Sequence, residues 1–246
     1  MSGSTWTHSA VADDFTPVDV DVTLFTLIPS RFPTIDVFAR VANDRSDELA
    51  AIESITNPRL RERNRLLNGA QIVDDNGPLL QNWNHAPFTY TNPDGSWFLG
   101  PEHPVLELSS DMQTALAVSV RKREAFLSCT GEAAIGLEMR ELSRRVRGRF
   151  ADGRDWPSDL DRLERLRLGH AVQKAGLDGL LYRPLDRPTG FCACILRGEA
   201  LAERAIQRDH FKFLWDGSRV STIYSFGSDA VYRPDDLRGA EQILAA

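Results

Sequence analysis

A short β-rich run leads directly into a long helix-forming segment in the middle of the chain. The run PVLEL (104–108) is followed by SSDMQTALAVSVRKREAFLSCTG (109–131) with no loop between them. Ser110 with Gln113 three residues later matches a capping box, and Gly131 suits the end of a helix. The apolar residues that we expect on the inner face of this helix are Met112, Ala115, Leu116, Val118 and Phe126. A strand that feeds a helix in this way favours a β core with helices packed on it.

The other β-rich and amphipathic segments extend this mixed order along the chain. VTLFTLI (22–28), AIGLEMREL (134–142) and the two runs that flank WDGS (215–218) are predicted strands, and Asp-Gly suits the tight turn of a hairpin. Segments 34–41, 46–55 and 157–176 show helical spacing, the last with Leu160, Leu163, Leu166 and Val172 on its apolar stripe. We therefore predict an α+β fold, a mixed β core flanked by helices. An N-terminal arm is expected at 1–20, one domain at 21–226 and a C-terminal tail at 227–246.

The net charge and the cysteine spacing restrict which binding partners and metal sites are expected. The 246 residues carry a formal net charge of -6, so neither nucleic acid nor an anionic membrane is an expected partner. The basic run 144–149 is expected to be a solvated face. The three cysteines lack a metal-binding spacing, so we expect reduced thiols in a cytoplasmic protein and no metal site. The sequence shows no signal pattern or membrane-length apolar run, and it is compatible with a homodimer.

Glu107 stands between two leucines of the predicted strand 104–108. A carboxylate in a buried strand is strongly unfavourable unless a partner compensates its lost hydration. Either Glu107 lies at a solvent-facing sheet edge, or it lines a pocket. The preceding region 68–104 is rich in Asn, Gly, Pro and aromatic residues, and we expect an ordered, functional loop there.

Six stretches of the chain resemble, in order, one group of RES-domain proteins. They are LFTLIPSRFPTIDVFARV, ESITNPRLR, APFTYTNPDGSWF, TALAVSVRKREAFLSCTGE, DGLLYRPLDRPTGFCACILR and KFLWDGSRV, and they run from about Val22 to Tyr224. The resemblance implies a fold related to the ADP-ribosyltransferases. It also implies kinship with toxins that destroy NAD by cleaving the nicotinamide–ribose bond and are neutralised by a helix-turn-helix antitoxin.

The polar residues that name the family are replaced in this sequence. The family's two arginines fall at Thr26 and Trp97, its helix glutamate at Val118 and its serine at Pro184. A family tyrosine that lines the nucleotide pocket falls at Glu107, eleven residues before Val118. The resemblance therefore implies that the usual NAD-degrading activity is absent or weak. It also implies a pocket in which a carboxylate has moved from the helix to the neighbouring strand.

Five residues are candidates for chemistry in such a pocket. Glu107 would stabilise the positive charge that develops on ribose when an N-glycosidic bond breaks, or act as an acid with a raised pKa. Arg31 would anchor a phosphate or form a structural ion pair. Trp97 would stack on a ring of the substrate or plug a dead pocket. His85 would act as an acid or base, or bond to backbone, and His103 would line the rim.

Three functions are open from the sequence. The first is an enzyme with a rebuilt RES pocket that acts on NAD or an NAD-derived nucleotide at or near the N-glycosidic bond. Thr26 would then contact the substrate, and no cofactor is required. The second is a pseudoenzyme that binds a nucleotide or a protein partner. The third is a biosynthetic enzyme that reuses the fold on another small molecule.

Overall fold

The computed structural model describes residues 15–30, 77–78 and 81–244. Arg31 and the helices predicted at 34–41 and 46–55 lie outside the described residues. The strands are β1 (Pro17–Pro29), β2 (Leu106–Ser109), β3 (Ile135–Gly153), β4 (Gly179–Tyr182), β5 (Cys192–Ile195), β6 (Ile206–Trp215), β7 (Val220–Ser225) and β8 (Ala230–Tyr232). The helices are α1 (Asn82–Thr89), α2 (Met112–Ser128), α3 (Arg162–Lys174) and α4 (Pro234–Arg238), and a 3₁₀ turn (Gly198–Ala200) follows β5.

The described strands form one mixed sheet whose central part closes on itself. The strand order is β1-β2-β5-β4-β3-β6-β7-β8, and β1 also pairs with β3. The 19 residues of β3 are long enough to pair antiparallel with β1 and β6 and parallel with β4. Strands β1, β2, β5, β4 and β3 therefore enclose a small barrel-like core, and β6, β7 and β8 extend the sheet beyond it.

Side-chain alternation sorts the apolar residues onto the two sides of this sheet. The inner side of the closed strands carries one cluster, which contains Val20, Leu24, Leu106, Leu108, Val146, Phe150, Leu181, Ala193 and Ile195. On the outer side, α3 and Phe98 pack over β4 and β5, and α2 packs over β1, β6 and β7. Since both neighbours of Glu107 in β2 point inward, Glu107 itself points to the outer side, where α2 and α3 lie.

The predicted strand–helix segment is confirmed, with a different cap. The Asp111 carboxylate accepts a hydrogen bond from the Thr114 N–H at 2.8 Å and thereby caps α2. Gly131 adopts the left-handed conformation, with φ of 66°. The predicted capping box of Ser110 and Gln113 is wrong, because the buried Gln113 side chain bonds instead to the C-terminal segment.

Two inward-facing assignments are wrong. Phe126 is 59% exposed, and Leu127 completes the buried face of α2 in its place. Leu163 is 77% exposed, whereas Leu168 and Val172 form the buried stripe of α3. In both helices several apolar residues compete for the stripe, and the packing against the sheet decides which of them are buried.

The basic run 144–149 is not a uniformly solvated face, so that prediction is corrected. Arg145 and Arg147 point outward and form ion pairs with Asp21. Arg144 points to the end of the barrel and is only 2% exposed, and its Nε donates to Asn84 Oδ1 at 3.0 Å. Burial lowers the pKa of Arg144 to about 10. Alternation along β3 explains why neighbouring arginines have opposite environments.

The segments around the central strands also pack as parts of the fold. The region 68–104, predicted to be irregular, contains α1. The WDGS hairpin is confirmed, and Gly217 in its turn has φ of 102°. In the C-terminal segment, Leu237 and Leu244 are buried in the core beneath α2.

Within residues 15–30, 77–78 and 81–244, no helix is long and apolar enough to cross a bilayer.

Candidate functional site

Glu107 lies in a polar cluster between β2, α2 and the loop before β2. Its Oε2 accepts a hydrogen bond from Lys122 Nζ at 2.6 Å, and its Oε1 accepts one from the backbone N–H of Trp97 at 3.0 Å. The Tyr182 hydroxyl donates to the same Oε1 at 3.4 Å. The Glu107 side chain is 12% exposed and that of Lys122 is 40% exposed. A buried carboxylate in a strand is therefore tolerated because a cation and two donors replace its water.

The cluster keeps Glu107 ionised. Burial by itself raises the pKa of Glu107, but the charge and hydrogen bond of Lys122 and the Trp97 N–H outweigh it, and the pKa is lowered. The expectation that Glu107 serves as an acid with a raised pKa is therefore corrected. Burial and the adjacent Glu107 charge raise the pKa of Tyr182 well above its ordinary value, so this phenol stays protonated as a donor.

A small cavity of about 40 Å³ adjoins Glu107. Its hydroxyl and charged lining residues are Thr26, Ser109, Ser119, Lys122, Arg123 and Tyr182. Val118, at the position of the family glutamate, adds only an apolar surface to this lining. Cys192 also lines the cavity, and burial raises the pKa of its thiol to about 12, so it is not a nucleophile.

Lys122 and Arg123, in a strongly charged turn of α2, line this cavity. Lys122 is four residues after Val118 and three after Ser119, so all three lie on one face of α2. This spacing is the signal that could have identified Lys122. Arg123 is half-buried, burial lowers its pKa, and its buried Nε has no hydrogen-bond partner.

Trp97 packs against cations of the protein itself. The guanidinium carbon of Arg165 lies 4.0 Å from the centre of the Trp97 ring, and that of Arg121 lies 5.1 Å away. Arg162 from α3 donates to the Trp97 carbonyl at 3.2 Å. These contacts hold the loop so that the Trp97 N–H points at Glu107. The indole is thus a structural wall of the cluster, already covered by guanidinium groups.

Arg121 connects this wall to the segment after β4. Its Nε donates to Asp186 Oδ2 at 2.7 Å, and the Asp186 side chain is 7% exposed. Pro184, at the position of the family serine, is buried in the same segment. An ion pair therefore stands near the place where the family has a hydroxyl.

The two candidate histidines lie away from Glu107. His85 is buried on α1, next to Asn84, which contacts Arg144 at the end of the barrel. Its Nδ1 is 3.3 Å from the Gln81 carbonyl oxygen, and its Nε2 has no hydrogen-bond partner. Arg144 points to the inner side of the sheet and Glu107 to the outer side. His85 does not line the Glu107 cavity.

His103 lies in the turn before β2, at the surface. Its Nε2 is 3.4 Å from Glu102 Oε1, which is also 3.9 Å from His170 Nε2. This trio is the group of described residues whose ligand atoms lie close enough to hold a metal ion. His170 lies on α3 and is exposed. His103 does not line the Glu107 cavity.

Comparisons with known proteins place the chain in a family. A family model described as the RES domain matches residues 78–216. The uncharacterized protein y4oC of Sinorhizobium fredii is 47% identical over 223 residues, which are 90% of this chain and 95% of that protein. The crystal structure of the M. tuberculosis MbcT–MbcA toxin–antitoxin complex matches with a TM-score of 0.39 and 13% identity, over 82% of this chain and 87% of that chain. Because the RES model matches more than half of the residues, the chain belongs to the RES-domain family.

Proposed function

We propose that this RES-domain chain is an enzyme that binds NAD or an NAD-derived nucleotide and acts at or near its N-glycosidic bond. The observation that supports this most is the buried, ionised Glu107, which shares one cavity with Lys122 and Arg123. A purely structural strand position is satisfied by an apolar residue, as at Leu106 and Leu108. An ionised carboxylate held there by several partners is typical of a site that stabilises positive charge.

The charge state of Glu107 fits the chemistry of a nicotinamide nucleotide. When the bond between nicotinamide and ribose breaks, its electron pair leaves with the ring nitrogen, and the pyridinium becomes neutral nicotinamide. The leaving group needs no proton, so a general acid is not required. The ribose carbon develops oxocarbenium character, which an ionised carboxylate stabilises, and water or another nucleophile then adds to it.

The cations of the cavity supply what the phosphates of such a substrate need. Arg123 has a buried Nε without a partner, and guanidinium groups bind phosphate oxygens with paired hydrogen bonds. Lys122 is 40% exposed, so one side of its ammonium group faces away from Glu107. Thr26 is substituted for an arginine of the family pattern, and we propose that α2 supplies the positive charge in its place.

A catalytically inactive module that binds a nucleotide or a protein partner is the alternative, and the cavity size favours its partner-binding form. A volume of about 40 Å³ suits one or two water molecules, whereas nucleotide pockets are on the order of several hundred Å³. Trp97 is also covered by Arg165, so it offers less free surface for stacking.

As family members are neutralised by helix-turn-helix antitoxins, we include such a protein as a proposed partner. A biosynthetic enzyme acting on another small molecule is the third candidate.

Thermal shift with NAD, ADP-ribose and nicotinamide mononucleotide tests binding, and chromatography of the same mixtures tests turnover. We expect a stabilising shift with at least one of them, since a ligand at 100 times its Kd adds about 2.7 kcal/mol. Nicotinamide release from NAD should be absent or weak. The variant Glu107→Gln should abolish any turnover, while Glu132→Gln, on an exposed turn, should retain it. Binding without turnover would favour the binding module, and no shift at all would contradict the proposal.

A further inference from the structure

A second, larger cavity lies on another part of the sheet. It has a volume of about 440 Å³ and shares no lining residue with the Glu107 cavity. It is formed by the start of α2, by β1, β3, β6, β7 and β8, and by the C-terminal segment. A volume of this size lies in the range of small-molecule pockets.

The polar lining of this cavity is acidic. Its three carboxylates are Asp111, Glu141 and Asp209, and no lysine or arginine is among the described residues that line it. Asp111 is neutralised by Arg187 at 3.1 Å. Glu141 is 7% exposed, and the hydrogen bond that it accepts from the Asp209 N–H is long, at 3.3 Å. Both acids line the same cavity, and among the residues that the structure describes neither Glu141 nor Asp209 forms an ion pair with a lysine or arginine.

The pKa of Glu141 agrees with this shortage of positive charge. Burial raises the pKa of Glu141 above its ordinary value; the hydrogen bond from the Asp209 backbone N–H opposes this rise, and the Asp209 charge adds to it. The Arg208 charge lowers this pKa, although that guanidinium makes its hydrogen bond to Ser143, whose Oγ accepts from Arg208 Nε at 3.1 Å. The fold thus retains a buried acid that destabilises it when ionised, and such features concentrate at ligand sites.

The remaining walls are apolar or carry hydroxyl groups. Phe25, Met112, Phe211 and Leu244 supply apolar and aromatic surface. Ser225 donates to Asp209 Oδ2 at 2.8 Å and so orients that carboxylate. Within the described residues, Glu102, His103 and His170 are the one group of three or more residues whose ligand atoms all lie within 4.8 Å of one another. The three carboxylates of the cavity do not form such a group, so they are not a compact set of three metal ligands.

We infer that this cavity binds an organic amine: a protonated primary amine that pairs with Glu141 and Asp209, carried on an apolar body that packs against Phe25 and Phe211. The charge of the cavity selects a cation, and its aromatic walls select an apolar group beside that cation. The amine donors replace the water that the two carboxylates lose on burial. This site is separate from the nucleotide site proposed above and does not depend on it.

Isothermal titration with benzylamine and with benzyl alcohol tests this inference, because the two probes have nearly the same shape and differ in charge. The wild-type protein should bind benzylamine at least about tenfold more tightly than benzyl alcohol. Glu141→Gln should reduce the affinity for benzylamine about tenfold or more and leave that for benzyl alcohol unchanged. Equal affinities for the two probes, or no binding of benzylamine at millimolar concentration, would overturn the inference.

Two further variants separate this site from the nucleotide site. Ser228→Phe, at the exposed rim, should weaken both probes because it fills the mouth of the cavity and leaves the carboxylates in place. Glu107→Gln should bind benzylamine as the wild type does, even if nucleotide binding is lost. In the absence of ligand, Glu141→Gln should unfold at a higher temperature at pH 7, because it removes a buried charge with a raised pKa. A lower unfolding temperature would assign Glu141 a structural role and contradict the inference.

Discussion

Replacing Lys122 by methionine is the most direct test of how Glu107 is held. Methionine keeps the length and the apolar part of the lysine side chain but removes its charge. Glu107 would then retain only the Trp97 N–H at 3.0 Å and the Tyr182 hydroxyl at 3.4 Å. We expect a loss of stability, because the variant leaves a largely buried carboxylate without its ion-pair partner.

The size of this loss follows from the exposure of the two partners. Removing one partner of a fully buried ion pair costs about 3–5 kcal/mol, and an exposed pair contributes about 1 kcal/mol or less. Glu107 is 12% exposed and Lys122 is 40% exposed, so the pair lies between these limits. We expect Lys122→Met to lower the free energy of unfolding by about 2 kcal/mol, equivalent to a fall in Tm of roughly 4–8 °C for a chain of this size.

Urea denaturation at pH 7.5 and pH 4 measures both the size and the origin of the effect. The pKa of Glu107 is lowered in the folded state, so its stabilising contribution is present above its unfolded pKa of about 4.3 and is lost as pH falls through the folded pKa. In Lys122→Met the folded pKa should rise, and the defect should shrink in acid as Glu107 is protonated. Lys174→Met, at an exposed helix end, is the matched control.

The double variant Glu107→Gln/Lys122→Met completes the cycle. We expect it to be more stable than Lys122→Met alone, because the unpaired charge is gone, with a coupling energy of about 1–2 kcal/mol. If Lys122→Met were as stable as the Lys174→Met control at pH 7.5, or if its defect grew in acid, the ion pair would not be what stabilises Glu107.

Two further predictions concern the packing around the sites. Gln113→Ala removes three hydrogen bonds, to the Leu237 and Glu241 carbonyls and from the Ile243 N–H; limited proteolysis should therefore release the C-terminal segment faster than in the surface control Gln173→Ala. Gly169→Ala should lower the Tm, although alanine ordinarily stabilises a helix by about 1 kcal/mol over glycine. The reason is that its Cβ would meet the Phe98 carbonyl oxygen at 2.1 Å, and a higher Tm would show that this contact relaxes freely.

Some features of the candidate site could be predicted from the sequence and others could not. The position of Glu107 in a strand directly before α2 follows from local pattern, since its apolar neighbours mark the strand and the apolar spacing marks the helix, although the cap is Asp111 and not the predicted Ser110. The order of the RES-like stretches indicated the family. The protonation state of Glu107 could not be predicted from the sequence, because a carboxylate among leucines is compatible with either a raised or a lowered pKa. Its partners decide between them, and Lys122 is 15 residues away.

The amino-acid sequence by itself determined the spacing of apolar residues that distinguishes helices from strands, the tight turn at Gly217 and the membership of the chain in its family. These depend on backbone conformation and on side chains within a few residues of one another. Only the tertiary structure decided that Arg144 is buried while Arg147 is exposed, and that Glu141 and Asp209 share a cavity. Both results depend on which elements meet across the sheet, and burial and charge pairing between distant residues are properties of that packing and not of the local sequence.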